Sequence, residues 1–542
     1  MTVAPAQTRL GGHVVAESLS ALGAEIAFGV PGVHALAIWE ALRTSELRGC
    51  GARTELCAGF AADGYARSTG RPVPLLLSTG PGALNSMTAL MEAASAHVPV
   101  VAISSQIPRA LLGRGRGYLH ELPDQLAAFA PVVKQTARAE STEAIPDLLS
   151  AAWTVALTPP SGPVYVEIPV DLLTAPARTP PVSDISLAAP REPARPDAVA
   201  AAARVVNEAS RPVIWAGGGT LRSGAARELR ELAERIQAPV ATTYMGKGAL
   251  ADDHPLAVGC GCDEAALQEL LGGADVVLAI GTELGAETTA QYKLELSGQL
   301  IHLDAAAERI GATYPALALV GDAKATLTAL IAELEPRASS EAARALVSNL
   351  RARIAAGLSA QGRDVELGLL QIIERALPED AITTWDMTIL AYWAAPHLRL
   401  GAGQQFHYPL GSGTLGYAWP AAIGASLAYP DRTVLAVAGD GGLHYGLGEL
   451  ATARQLGARA KLLVVDDGGY GILREYQRDA YGETTAVDLV QPDFAALARA
   501  FGVPVRAGGP DDLAANLGWA IAEPGPAMVV IKAALAAAQP TP

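Results

Sequence analysis

The feature that most constrains this chain is a recurring unit: a short β-rich apolar run, a glycine-containing turn, then an Ala/Leu-rich stretch of helical character. Val73–Leu77 before Ser78–Gly82 is one instance, Pro99–Ser104 after a helix-like stretch is a second, and Pro212–Ala216 before Gly217–Gly219 is a third. Strands that alternate with helices cannot pair as hairpins. Each crossover returns the chain to the same edge of the sheet, so the strands run parallel and helices cover both faces. The expected fold class is α/β, built of Rossmann-like doubly wound parallel sheets. With 542 residues the chain is too long for one such sheet.

Two stretches interrupt the alternation. Thr174–Asp197 is rich in Pro and Ala, and proline blocks both a helix interior and a central strand. Glu335–Asp364 is charged and helical with few strand signals. Together they predict domains over 1–180, 190–340 and 360–542. Half the residues are hydrophobic and 18% are charged, which excludes a disordered chain and allows large cores. There are 40 Lys and Arg against 55 Asp and Glu, a net charge of −15. No basic excess exists to release counterions, so neither nucleic acid nor an acidic membrane is an expected partner. No apolar run is long enough to span a bilayer, and the opening Met1–Arg9 lacks the apolar core of a signal peptide. The expectation is a cytoplasmic protein. The four cysteines (Cys50, Cys57, Cys260, Cys262) form no disulfide framework, and Cys260-Gly261-Cys262 has no second Cys/His pair nearby to complete a zinc site.

The third segment carries the clearest chemistry. A buried strand, Thr433–Ala438, runs into Gly439-Asp440-Gly441-Gly442; a helix-like stretch follows from Gly446 to Leu456; a second strand, Lys461–Val465, runs into Asp466-Asp467-Gly468-Gly469. A right-handed crossover puts both acidic turns at the carboxyl edge of one sheet, where Asp440 and Asp467 can converge on a hard cation. Glycines allow close backbone approach, and a following helix offers amides and a positive dipole end to phosphate. Carboxylates, a cation and a diphosphate suit magnesium. Taken alone, each acidic turn is also an ordinary strand ending.

These motifs resemble the fingerprint of the thiamine diphosphate enzymes, a Gly-Asp-Gly turn followed one strand–helix–strand unit later by an Asn-Asn pair. The chain departs from it in having Asp466 and Asp467 in place of both asparagines, an added negative charge beside a diphosphate. In the first segment, Glu55 followed by Asp63-Gly64-Tyr65-Ala66-Arg67 is similar to the pyrimidine-binding motif of the acetolactate synthase and 2-oxoacid decarboxylase group. Other turns along the chain, from Gly29–Gly32 and Thr79–Gly82 to Gly217–Gly219, Gly281-Thr282 and Gly321–Lys324, agree with the same family.

The resemblance implies a pyrimidine-binding first domain, a central domain and a diphosphate-binding third domain. It implies Asp440, the Asp467 side chain and the Gly469 carbonyl as Mg²⁺ ligands. It implies Glu55 as the acid that promotes the reactive tautomer of the aminopyrimidine, a role helped by an apolar pocket that raises a carboxyl pKa; Leu56, Cys57, Ala58 and Phe60 are compatible with such a pocket. Leu415 matches the residue that bends the cofactor and Gly413 the carbonyl that holds its amino group. The remaining cofactor contacts it implies are Pro31, Gly32, Pro81, Asn85, Asp386, Thr388, Gly439, Gly441, Gly442, Tyr470 and Gly471. Because Glu55 and Asp440 lie on different segments, it implies a homodimer or homotetramer with sites between subunits.

The implied activity is decarboxylation of a 2-oxo acid, followed by ligation to a second carbonyl as in acetolactate synthases or by release of an aldehyde. Gly117–Gln125 departs from the acetolactate synthase pattern, placing His120 and Glu121 where Phe and Gln fall in those enzymes. Together with Gly29–His34 it looks closer to decarboxylases of the guanidino-oxopentanoate type. His120 is either a solvated loop histidine or a proton shuttle and substrate donor; Glu121 is either a surface charge or the partner of a cationic substrate end. FAD is allowed but not predicted: Met245–Gly248 matches the flavin-binding region of acetolactate synthases, whereas Gly259–Asp263 replaces its Met-His-Gly stretch. An NAD-dependent oxidoreductase would rest on Gly217–Gly219 alone, which lacks the full dinucleotide spacing. A noncatalytic homologue acting as an interaction subunit is the alternative of a different class, and Glu55 argues against it.

Overall fold

A computed structural model describes residues 8–183, 185 and 191–541. The opening Met1–Arg9 and the Pro/Ala-rich Thr174–Asp197 therefore lie partly outside the described residues.

Three six-stranded sheets follow one another along the chain, and every strand pair in them is parallel. The expected α/β class with doubly wound parallel sheets is what the chain adopts. The first sheet runs from Ile26–Gly29 to Val164–Pro169 and the third from Ile382–Trp385 to Ala527–Lys532. Numbered in chain order within each sheet, both have strand order second, first, third, fourth, sixth, fifth. The middle sheet, from Pro212–Ala216 to Leu317–Val320, has order third, second, first, fourth, fifth, sixth. A 20-residue helix, Glu341–Ala360, joins the middle and third sheets, burying Val347, Leu350 and Leu358 and leaving most of its length to solvent.

Strand positions follow from the apolar runs. Val73–Leu77 and Pro212–Ala216 are fully buried strands, while the strand expected over Pro99–Ser104 shifts slightly to Val100–Gln106. Such continuous burial is what a parallel sheet covered on both faces demands.

The first and third sheets meet through two helices, Glu55–Thr69 and Ala418–Ala428. Thr54 caps the first of these, its hydroxyl accepting the Cys57 N–H at 3.2 Å. The helices touch backbone to backbone. A Cβ on Gly64 would lie 2.1 Å from the Ala421 carbonyl oxygen, and one on Gly424 would lie 1.9 Å from that of Ala61. Beside this crossing is a buried charged cluster. Arg67 donates to both Asp63 oxygens and to Glu92, Tyr417 donates to Asp63 at 2.7 Å, and Glu92 accepts the N–H and the hydroxyl of Ser412. Burial works against these charges, but the pairing is complete, and losing one partner of such a set costs about 3–5 kcal/mol. The cluster therefore fixes the 411–417 loop against the helix that begins at Glu55.

Candidate active site

In the first and third sheets the strand order reverses between the first and third strands. Crevices at such switch points, at the carboxyl edge of an open parallel sheet, are where ligands bind. Most of the residues singled out in the sequence fall at these two places.

In the third sheet the switch point lies between Ile382–Trp385 and Val434–Gly439. The first strand delivers Asp386 and Thr388, and the second delivers Asp440. The next strand, Ala460–Asp466, pairs Val465 with Gly439, so Asp440 and Asp467 leave adjacent strands at the same edge. The helix expected from Gly446 begins only at Glu449. A single helical turn, Asp440–Leu443, fills the gap instead, because the glycines at 446 and 448 are poor helix formers. Asp386 is buried against this turn. It accepts the Gly416 and Met387 N–H groups at 3.0 and 2.9 Å, and a Cβ on Gly442 would lie 2.9 Å from its carboxyl carbon. Burial pushes the Asp386 carboxyl up to about 6. The Thr388 hydroxyl lies 2.9 Å from where a Cβ of Gly439 would be.

Asp440 is 1% exposed. Neither of its carboxylate oxygens, nor Oδ1 of Asp467, has a hydrogen-bond partner among the described residues. Burial raises both carboxyls, and the charge of Asp440 raises Asp467 further, to about 7. A Cβ on Gly471 would strike Asp467 Oδ2 at 2.0 Å, so only glycine leaves that carboxylate where it is. The turn is pinned from outside: Tyr470 N–H donates to the Val487 carbonyl at 2.8 Å, Leu489 N–H donates to that of Gly468 at 3.0 Å, and Gly469 pairs with Asp488. A buried carboxylate left uncompensated costs about 3–5 kcal/mol. A divalent cation held by Asp440 and Asp467 would remove that cost. The described residues hold no group of three or more His, Cys, Asp or Glu side chains suited to a metal, so a cation here would need carbonyl, water or phosphate oxygens as well.

The first sheet's switch point lies between Ile26–Gly29 and Val73–Leu77. It brings together Pro31 and Gly32 with the Ser78–Gly82 turn; a Cβ on Gly32 would lie 2.4 Å from the Ser78 side chain. Pro81 opens a one-turn helix, Pro81–Leu84. Glu55 stands at the first position of its helix, half-buried, and Asn85 Nδ2 donates to its carboxylate at 3.2 Å. Cys57, Ala58 and Phe60 turn inward to the packing between helices, so within one chain they do not enclose the Glu55 carboxylate. Gly413 and Leu415 lie on the 411–417 loop, where Met387 Cε comes within 3.9 Å of a Cβ built on Gly413.

His120 and Glu121 sit over the first sheet's turn. The His120 carbonyl oxygen lies 2.5 Å from where a Cβ of Gly80 would be. The His120 backbone is left-handed (φ 66°), and its ring lies 5.2 Å from that of buried His34. Nδ1 of each ring has no partner among the described residues. Glu121 accepts the Tyr118 N–H at 3.0 Å, and this with other backbone amides of 115–117 holds its carboxyl below the usual range. In this chain Glu121 is thus engaged by its own loop. Sequence reasoning passed over Gln125, which is fully buried. Its Oε1 accepts the Gly80 N–H at 2.7 Å and its Nε2 donates to the Tyr165 hydroxyl at 2.7 Å. The only signal was an amide just inside a short helix capped by Asp124.

The middle sheet carries Gly217–Gly219 at its own switch point. There the Gly217 and Gly219 N–H groups donate to the Ile280 and Gly281 carbonyls, both at 2.8 Å, so two of the three amides are already spent. The four cysteines are free and buried. Among the described residues no helix is long and apolar enough to cross a membrane.

Comparison with known proteins agrees with this geometry. Residues 9–128 match the N-terminal TPP binding domain of thiamine pyrophosphate enzymes, 199–330 the central domain, and 386–531 the C-terminal TPP binding domain. A probable 2-ketoarginine decarboxylase of Pseudomonas aeruginosa is 40% identical over 94% of this chain and 91% of its own. A probable acetolactate synthase large subunit of Methanocaldococcus jannaschii is 32% identical over 94% and 90%. The Escherichia coli acetolactate synthase isozyme 1 large subunit is 30% identical over 96% and 93%. The chain belongs to the thiamine pyrophosphate enzymes. Within them it falls in the decarboxylase and acetolactate synthase group, so its cofactor is thiamine diphosphate and its substrate a small molecule. For a thiamine pyrophosphate enzyme, the unpartnered oxygens of Asp440 and Asp467 fit the cation that accompanies a diphosphate.

Proposed function

We propose that this chain decarboxylates a 2-oxo acid with thiamine diphosphate and Mg²⁺. Bound at the site, the cofactor supplies the electron sink that loss of CO₂ requires. The chain's own residues do the rest. Asp440, the Asp467 side chain and the Gly469 carbonyl hold Mg²⁺ against the diphosphate; Asp386 and Thr388 brace the turn that carries Asp440. Glu55, oriented by Asn85, shares a proton with the aminopyrimidine ring. Pro31, Gly32, Pro81, Gly413 and Leu415 shape the space around that ring, while Gly439, Gly441, Gly442, Tyr470 and Gly471 line the diphosphate end. His120, whose Nδ1 has no partner among the described residues, would act as a proton donor to the decarboxylated substrate.

The observation that carries this reading is the pair of buried carboxylates, Asp440 and Asp467, left without partners at a switch point. Val33, Leu36 and Leu119, each more than half exposed on the first sheet's side, favour burial against a second copy. In such a homodimer or tetramer, Glu55 of one chain would serve the diphosphate end of another. Buried reduced cysteines suit a cytoplasmic location.

A second reading concerns the fate of the decarboxylated substrate. The 40% identity to a probable 2-ketoarginine decarboxylase favours aldehyde release from a guanidino-bearing 2-oxo acid; the relatives near 30% favour ligation to acetolactate. The test is a panel of 2-oxo acids with product analysis by mass spectrometry. Aldehyde from the guanidino acid supports the first outcome and acetolactate from pyruvate the second. Turnover of no 2-oxo acid by cofactor-loaded protein overturns both.

A further inference from the structure

Three buried polar atoms at the first sheet's switch point remain unspent. They are the Ser78 hydroxyl oxygen and Nδ1 of His34 and of His120, and none has a partner among the described residues. Ser78 and His34 are both buried. A series of close approaches ties them to Glu55. Gly82 separates Glu55 from Ser78: a Cβ on it would lie 3.1 Å from both Glu55 Oε1 and Ser78 Cβ. A Cβ on Gly32 would strike the Ser78 hydroxyl, and Gly32 opens the short 3₁₀ turn Val33–Ala35 that carries His34. The His34 ring meets that of His120 edge to face, with centroids 5.2 Å apart and planes at 65°, and lies 5.8 Å from the Tyr118 ring. The His120 carbonyl in turn seats against Gly80. His34 therefore belongs to the same crevice as Glu55 and His120, yet the function proposed above gives it no task.

A histidine kept only for packing would have its buried ring nitrogens satisfied, because an orphaned one is costly. Of the two rings His120 is the more exposed, so a charge is better placed on it than on His34. Burial, and then the charge of His120, hold His34 below the usual histidine range. A charged imidazole has two N–H donors, whereas a neutral one keeps an acceptor lone pair. Neutral His34 therefore complements a charged His120, through that lone pair or through its ring face, while two charged rings at this distance would repel. The other ionisable groups around the pair are engaged elsewhere. Asp171, on the Val170–Leu173 turn that packs on Val33–Ala35, pairs with Arg109 at 2.9 Å. Glu40, on the following helix Leu36–Leu42, pairs with Arg43 at 2.9 Å. Glu121 accepts the Tyr118 N–H, and Glu55 accepts from Asn85. Val100–Gln106, also packed on the His34 turn, brings only uncharged Ser104, Ser105 and Gln106, and Glu167 beyond it is held by Arg138. Arg114 and Arg116, on the loop before Tyr118, are exposed and screened by solvent.

We propose that His34 is a positioning residue for His120: the two rings hold one proton between them, and neutral His34 backs the charged His120 that delivers it. This rests on the decarboxylase reading above. In that reaction a 2-oxo acid anion and one proton give an aldehyde and CO₂. The bond to the carboxylate carbon breaks, its electron pair ends in the new C–H bond, the proton of that bond leaves His120, and solvent returns a proton to His120. The test compares cofactor-loaded wild type with His34→Phe, which keeps a ring and no acceptor, and His34→Asn, whose amide oxygen replaces Nδ1 as an acceptor. One readout is kcat against pH with a 2-oxo acid that the wild type turns over. The other is the pH dependence of His120 labelling by diethyl pyrocarbonate without substrate, followed by mass spectrometry, which needs no turnover. In His34→Phe the alkaline fall of kcat and the labelling midpoint should both move down by about one pH unit, a roughly tenfold weaker hold on the proton, with KM little changed. His34→Asn should recover part of the shift. A kcat lowered equally at every pH with the labelling midpoint unmoved marks a packing role and overturns the inference. An unchanged pH profile in His120→Gln also overturns it, since His120 is then not the donor, and leaves the decarboxylase reading in place. If wild type turns over no 2-oxo acid, that reading falls and this inference falls with it.

Discussion

The first and third sheets share one strand order but put it to opposite electrostatic use. At the first sheet's switch point the unspent groups are neutral: the Ser78 hydroxyl and Nδ1 of His34 and His120 have no partner among the described residues, while the other polar groups pair. Gln125 takes the Gly80 N–H, the Thr79 and Ser105 hydroxyls pair at 3.0 Å, and Ser104 donates to the Ser78 carbonyl at 3.0 Å. At the third sheet's switch point Asp440 and Asp467 are buried with oxygens unspent. The same scaffold thus gives an edge whose unspent groups are hydroxyl and imidazole at one end, and one whose unspent groups are carboxylates at the other. An edge of neutral groups can hold a heterocycle by shape and hydrogen bonding, with Glu55 as the carboxylate at its rim. An unbalanced edge waits for a counter-ion.

Four experiments bear on that contrast. The largest expected effect is at the rim of the first edge. If Glu55 is the proton partner of the ring, Glu55→Gln should lower kcat by about 100-fold or more in steady-state assays while cofactor affinity changes little. At the anionic edge the pattern should reverse. Asp440→Ala should weaken Mg²⁺-dependent cofactor binding roughly 100-fold by calorimetry, with a smaller loss when Mg²⁺ is absent.

Proton competition sharpens the difference further. The Asp467 carboxyl, at about 7 in the metal-free chain, lies above its value in an unfolded chain. The folded protein therefore binds the extra proton, and metal-free stability falls as pH rises toward 7. Cation binding must displace that proton, so Mg²⁺ affinity should fall about tenfold per pH unit below this point and level off above it. Titrations of Mg²⁺ across pH, read by cofactor binding, check this; a flat profile breaks it.

The smallest effect compares the edges by sign. Gln125→Leu orphans the Gly80 N–H and should destabilise the metal-free protein by about 1–3 kcal/mol. Asp440→Ala removes an uncompensated charge and should raise the metal-free melting temperature. Thermal melts of both variants without metal decide whether the two edges differ as described.

Strands and catalytic turns were legible in the sequence because parallel strands are continuous apolar runs and the turns beyond them are glycine-marked. Val73–Leu77 and Pro212–Ala216 needed nothing more, and Asp440 and Asp467 followed from crossover handedness. What could not be read depends on contacts between distant residues. The one-turn helix at Asp440–Leu443 packs its Gly442 on Asp386, far back in the chain, a contact that no local pattern announces. Gln125 looked like any polar residue near a loop until the Gly80 turn came against it, and Glu121, for which the sequence left a surface charge and a substrate partner both open, accepts the Tyr118 N–H of its own loop. The different strand order of the middle sheet left no trace in local periodicity.

The glycine contact between the Glu55 and Ala418 helices bears on how this enzyme can breathe. With the Ala421 and Ala61 carbonyls seated directly against the α-carbons of Gly64 and Gly424, sliding one helix past the other would first require prising them apart. The contact therefore ties the first and third sheets to one another, so that a displacement of one is passed to the other through backbone and not through yielding side chains.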